Sequence, residues 1–205
     1  MNYQDLEKLV TDKGHVFYKD ELKLNCIFER TSDVVTNKFT DFLHIAYVKE
    51  NQPQVLTIPA TTKAGIKGAF DAPPTVEGIT GTAVIIPGQY IDTWKFIDVA
   101  DGTNAPKKGY PFDKEYFRQV KGIKYWRDGN KDLVIDHVQE QDNKIFGTQW
   151  HKMSNPGTYG SGLVNNWSEG CMGAVEPEFQ KILPIVRESV KVHGDLFTGT
   201  IIANF

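Results

Sequence analysis

The apolar residues of this chain come in short runs rich in Val, Ile, Phe, Tyr and Trp, broken by Gly, Pro and Asn, and a long helical stripe appears only after Pro177. That order lacks the alternation of strand and helix that builds a parallel sheet between helical layers. Residues 22–30 and 42–49 alternate partially and read as strands joined by a polar turn region at 31–38. Residues 55–58, 82–86, 90–99 and 120–126 read the same way. The Gly-bearing stretch 60–68, the paired Pro73 and Pro74, and the polar stretch 102–109 read as loops. Two helices frame the strands. Residues 5–12 carry Leu6, Leu9 and Val10 on one face, with Gly14 as the stop. Residues 177–191 carry Phe179, Ile182, Leu183, Val186 and Val190 at three- and four-residue intervals. Pro177 suits a first helical turn, whereas Pro184 predicts a kink or a broken pair of helices. Residues 196–203 close the chain as a final strand. The pattern as a whole is mainly β with few helices (α+β): a curved, mostly antiparallel β-architecture with a C-terminal helix and closing strand.

The chemistry concentrates in Gly147-Thr-Gln-Trp-His-Lys-Met-Ser154 and, across a Gly/Asn-rich loop, Trp167-Ser-Glu-Gly-Cys-Met-Gly173. A thiol needs a neighbouring base to become a nucleophile at neutral pH, and an imidazole supplies one. His151 is therefore the candidate base, Cys171 the nucleophile and Ser168 a supporting hydroxyl. Gly170 allows a sharp turn ahead of the sulfur and leaves room for a carbonyl. Trp150 and Trp167 flank the two halves and are candidates for groove walls, with packing as the competing reading. Tyr159, in the intervening loop, is a candidate pocket hydroxyl. The other cysteine, Cys26, sits in an apolar run and reads as buried packing.

At 205 residues the chain suits a single domain, with 1–70 packed onto a core at about 75–205. A net charge of −3 without a long basic run argues against nucleic acid as a partner. No run approaches the length of a membrane-crossing helix, and the first residues lack the pattern of a secretory signal. Cytoplasmic synthesis is the expectation. Asp128, Asn130, Asp132 and Asp136 have the alternate spacing of Ca²⁺ ligands, but Gln139 stands where the pattern needs a bidentate Glu, so an acidic turn is the expectation. Zinc at His137 and Glu140 is left out, and neither metal nor cofactor is assigned. His15, His44 and His193 read as ordinary polar or core residues.

His151 followed by Ser168-Glu-Gly-Cys171 resembles the signature of the L,D-transpeptidase (YkuD-type) catalytic domain, and more closely a divergent branch found in tailed phages and Bacteroidetes. Asn37-Lys-Phe-Thr-Asp-Phe42, Ala60-Thr-Thr62, Gly81-Thr-Ala-Val-Ile-Ile-Pro-Gly-Gln-Tyr90, Tyr125-Trp-Arg-Asp128 and Leu196-Phe-Thr-Gly-Thr200 are similar to that branch too. The resemblance implies an L,D-transpeptidase-like β-sandwich and a cysteine enzyme acting on peptidoglycan stem peptides through a thioester. An amine resolves the thioester in transpeptidation and water in hydrolysis. The N–H groups of Gly170 and Cys171 would stabilise the oxyanion. Delivery to the bacterial cell wall would be by a virion or by lysis. Two positions depart from the family pattern: Glu169 replaces a histidine, and Gly173 an Asn or Arg. They motivate the rival reading, an inactive virion structural or wall-binding protein on the same fold. A protein-directed cysteine protease ranks third.

Overall fold

A computed structural model of the chain describes residues 1–66, 81–98, 115–128, 130, 132–138, 140–145, 147–153, 162–165, 167–203 and 205. Helix α1 (Tyr3–Thr11) starts two residues earlier than its apolar face predicts. Asn2 is the reason: its Oδ1 accepts from the Asp5 N–H at 2.9 Å, while its own N–H donates to the Asp5 carboxylate at 3.1 Å, a reciprocal cap. The helix lays Tyr3, Leu6 and Val10 on Ile27, Ala46 and Ile202.

The strands are β1 (Asn25–Arg30), β2 (Asp41–Lys49), β3 (Gln52–Ala60), β4 (Thr82–Ile85), β5 (Gly88–Asp98), β6 (Glu115–Gln119), β7 (Ile123–Asp128), β8 (Gln141–Lys144), β9 (Gln149–Lys152), β10 (Met172–Ala174) and β11 (Leu196–Ala203). Among the described residues they form an eight-stranded sheet in the order β10-β9-β6-β5-β11-β1-β2-β3 and a three-stranded sheet in the order β4-β7-β8. Pairing is antiparallel except for β1 with β11 and β9 with β10. The closing strand thus slots between β5 and β1, so the first and last parts of the chain share one sheet.

The large sheet curves until its two edges meet. Just past β3, the Thr61 N–H donates to the Gly173 carbonyl at 2.8 Å, and the Gly173 N–H donates back to Thr61 at 3.1 Å. This near closure brings residues 61–66 against the Cys171 segment. A buried ionic cluster fixes those residues. Asp41, fully buried, accepts from the Thr62 N–H (2.9 Å) and Thr62 Oγ1 (2.7 Å), and its other oxygen lies 3.1 Å from Lys63 Nζ.

The core is aromatic. Trp150 contacts Phe28, Trp94 and Phe117 at centroid distances of 4.9, 4.9 and 4.8 Å. Gly199 of β11 lies under two of these rings, where a Cβ would come within 2.7 Å of both indoles. Helix α2 (Glu176–His193) packs Phe179, Ile182, Leu183 and Val186 into the same core. It runs as one element through Pro184, so of the kink or broken pair that its sequence predicts, the broken pair does not occur. Pro184 is exposed, so its ring and missing N–H fall on the solvent side, where a helix tolerates distortion.

Candidate functional site

The site is set by a three-residue parallel pairing. Strand β10 runs parallel to β9 with Met172 opposite Trp150 and Gly173 opposite His151. Cys171, one step before the ladder, comes alongside Gln149, whose backbone hydrogen-bonds the thiol. The sulfur-bearing residue and His151 are therefore on neighbouring strands, two register positions apart.

A turn that only glycine fits presents the thiol. Gly170 has φ +133, and a Cβ there would sit 2.5 Å from the Ala83 carbonyl oxygen. The buried Ser168 hydroxyl staples the turn, accepting from the Gly170 N–H at 3.1 Å and donating to the Cys171 carbonyl at 2.8 Å. Its support is thus to the backbone. The same bond bears on one expectation: the Gly170 N–H, expected as an oxyanion donor, is engaged by Ser168.

His151 is buried at 7 % exposure, and its Nδ1 lies 2.6 Å from the Lys152 carbonyl. A carbonyl can only accept, so Nδ1 carries the proton in the neutral ring and Nε2 the lone pair. The backbone does the work of the Asp or Asn that often orients such a ring. Burial holds the imidazole below its ordinary range, with the Lys152 bond opposing. Cys171 is partly exposed. Surrounding protein nonetheless pushes its thiol up to about 11; the Gln149 backbone bond pulls it down and the Glu169 charge pushes it further up. Glu169 itself faces solvent. The resting pair is consequently a neutral thiol and a neutral imidazole.

Trp150 is corrected from groove wall to core: it is 1 % exposed and enclosed by Phe28, Trp94 and Phe117. Adjacent strand residues face opposite ways, so Trp150 and His151 lie on opposite faces of β9. Trp167 is half-buried beside Ser168 and keeps its candidacy. Tyr159 lies outside the described residues. Gly173 is fixed as glycine sterically, since a Cβ there would lie 2.1 Å from the His151 carbonyl oxygen.

The acidic stretch folds as a turn. The Asp132 N–H bonds Asn130 Oδ1 at 3.0 Å and the Val134 N–H bonds Asp132 Oδ1 at 2.8 Å. Among the described residues no three His, Cys, Asp or Glu side chains are grouped to hold a metal. Asp128, 4 % exposed at the end of β7, has its carboxyl pushed up to about 6 by burial, then by Asp136 and Asp132. His44 is buried between Thr57 and Glu29, and His137 stacks on Trp126. Cys26 is buried and unpaired, its thiol pushed up to about 12. Among the described residues, no helix is long and apolar enough to cross a membrane. Sequence reasoning missed the Lys152 carbonyl, the Gln149 backbone and the Thr61 pairing, all main-chain groups that leave no residue-type signal.

Comparison of the chain with protein-family models, with curated proteins and with solved structures finds no match.

Proposed function

We propose that this chain is an L,D-transpeptidase-like cysteine acyltransferase acting on peptidoglycan stem peptides. The observation that carries the reading is the parallel β9–β10 register, which sets Cys171 and His151 two positions apart behind a glycine turn. As the sulfur bonds to a stem-peptide carbonyl carbon, His151 Nε2 takes the thiol proton. The carbonyl π electrons move to oxygen, where the Cys171 N–H donates to the developing charge. Collapse of the tetrahedral adduct breaks the C–N bond, the departing amine takes the proton from the imidazolium, and a thioester remains. An amine then attacks to form a new peptide bond, or water attacks to release a carboxylate; either way the proton returns to sulfur through His151.

Hydrolytic remodelling or lysis at the bacterial wall, with a virion or lysis as the route, fits the phage-like resemblance better than wall synthesis. Purified protein incubated with muropeptides separates the outcomes. Shortened stems or opened bridges support hydrolysis, and new crosslinks between stems refute it in favour of transpeptidation. Cys171→Ala is expected to abolish turnover at unchanged thermal stability. The rival, a wall-binding or virion structural protein, draws on the raised thiol and the engaged Gly170 N–H. Wall-fragment binding that survives Cys171→Ala, with no products from the unsubstituted chain, would establish it.

A further inference from the structure

In the segment entering the nucleophile turn, Leu163 forms an isolated bridge with Lys38. What holds the segment is a residue far away in sequence. Asn37, between β1 and β2, stands at φ +59, a left-handed conformation that Asn tolerates better than most side chains. Its backbone carbonyl accepts from the Val164 N–H at 2.9 Å. Its side-chain Oδ1 accepts from the Asn165 N–H at 2.6 Å and from the Ile66 N–H at 3.1 Å, and its Nδ2 donates to Asn165 Oδ1 at 2.9 Å.

Those bonds reach both walls of the Cys171 turn. On one side, Val164 and Asn165 lead into Trp167, whose N–H donates to the Val164 carbonyl at 3.0 Å, and so into Ser168. On the other, Ile66 follows Gly65, whose N–H donates to the Ser168 carbonyl at 3.1 Å. Gly65 packs so closely that a Cβ would lie 2.0 Å from the Asn165 carbonyl oxygen. A single amide therefore ties the approach to Ser168 to the segment against which Ser168 is docked.

We propose that Asn37 is a positioning residue for Cys171: its amide holds Ile66 and Asn165 against each other and thereby sets the Ser168–Cys171 turn. The functional weight of this rests on the reading of Cys171 as the nucleophile, whereas the positioning itself does not. An amide is suited to the place because it offers an acceptor to two backbone N–H groups and a donor to Asn165 Oδ1 at once. Aspartate keeps the acceptor, and Asn165 can turn its own amide to donate to it. Asn37→Asp and Asn165→Asp should each leave the clamp closed, but the double variant sets two carboxylates face to face.

The test is the pH dependence of iodoacetamide alkylation, read by peptide mass spectrometry at Cys171, with buried Cys26 as an internal monitor of unfolding. With the clamp lost in Asn37→Ala, the turn opens and the Cys171 thiol returns toward its ordinary range. Thiolate gained at pH 8 outweighs the fall in intrinsic nucleophilicity, so Cys171 should react on the order of tenfold faster while Cys26 stays silent. The two single Asp variants should match the unsubstituted chain, and the double variant should resemble Asn37→Ala. An unchanged Cys171 profile in Asn37→Ala with Cys26 silent overturns the proposal. If Asn37→Ala exposes Cys26, the Asp variants decide: a double variant that behaves like the singles overturns it. Failure of the acyl-transfer reading is distinguishable, because it removes muropeptide products from the unsubstituted chain without touching these thiol profiles.

Discussion

Three glycines separate the two reasons a backbone can demand glycine, and one of them tests the geometry of the site directly. Gly14 has φ +74 with nothing within 4 Å of a would-be Cβ; Gly173 carries no left-handed φ but would place a Cβ 2.1 Å from the His151 carbonyl oxygen and 2.9 Å from Met153 Cε. Gly170 has both burdens, φ +133 and a Cβ 2.5 Å from the Ala83 carbonyl oxygen. Replacing Gly14 by Ala should cost about 1 kcal/mol, the left-handed penalty alone. Gly173→Ala must push a backbone carbonyl by more than an ordinary contact allows, an overpacking cost of roughly 1–3 kcal/mol. Gly170→Ala adds roughly 1–3 kcal/mol of backbone strain to a similar clash, about 2–6 kcal/mol together. In a chain of this size 1 kcal/mol moves the melting temperature by about 2–4 °C, so the three variants fall in a resolvable order. Urea melts give the costs, and Cys171 alkylation shows where they are felt: Gly14→Ala should leave the thiol unchanged, and the other two should alter it. If Gly173→Ala or Gly170→Ala costs no more than Gly14→Ala, the close approach of β10 to β9 and of the turn to β4 is wrong.

Asp128→Asn should stabilise the protein at pH 8. The folded carboxyl at about 6 holds a proton that the unfolded chain releases from 3.8 upward, so its contribution is lost as pH rises through 6. The gain from Asn is at most ~3 kcal/mol and should vanish below about pH 4, read from urea melts at both pH values. His151 and His44 act in the opposite direction, since burial holds both imidazoles below the ordinary range. Their share of stability is complete above about pH 6.5 and falls as acid protonates the unfolded chain first, so thermal melts should decline from pH 7.5 to 5.5. His44→Gln should flatten that limb; an undiminished slope would exclude His44 from it. Trp150→Ala should cost about 3–5 kcal/mol by emptying the aromatic core, where a groove-wall tryptophan would cost far less. At pH 7 the Cys171 thiolate ultraviolet band should be absent and should grow in above pH 10; a band at neutral pH lost in Cys171→Ala would contradict the neutral resting pair.

Side chains that repeat on one face were legible in the sequence, and contacts made by the backbone were not. The closing strand at 196–203 agrees with β11 to the residue because a β-branched, aromatic run cut off by Gly194 leaves few alternatives. Strand β3 extends beyond the predicted 55–58 to Gln52–Ala60, because Pro53 and Pro59 lie on a strand at the sheet edge, where a missing N–H breaks no ladder. The predicted strand at 120–126 takes in the 120–122 connection and stops two residues short of the end of β7, and β6 just before it was not predicted as a strand. Strands β8, β9 and β10 are three or four residues long, too short for alternation to stand out. Hence Cys171 and His151 were recognisable as a pair, but the parallel ladder that joins them was not. The paired prolines, the 102–109 stretch and the 154–161 loop lie outside the described residues. Trp150 shows where residue type misled: its chemistry suits a groove, and only its neighbour's facing reveals that it points inward.

Burial accounts for the resting state of the site as well as for its shape. The near closure of the large sheet at Thr61 and Gly173 packs protein around both members of the pair, and desolvation penalises whichever form is charged. That lifts the thiol and lowers the imidazole, so both stay neutral. Neutrality need not mean inertness. In the proposed acyl transfer the proton would pass from sulfur to Nε2 as the S–C bond forms, with the new negative charge already moving to the carbonyl oxygen, so no isolated thiolate would have to exist beside Glu169. The arrangement then depends on geometry more than on a preformed ion pair. The ring must be fixed by the Lys152 carbonyl, the turn by Ser168, and the segments around it by Asn37 and Asp41. Each of these supports is a hydrogen bond to main chain, which ties the chemistry of the site to the same backbone contacts that close the sheet.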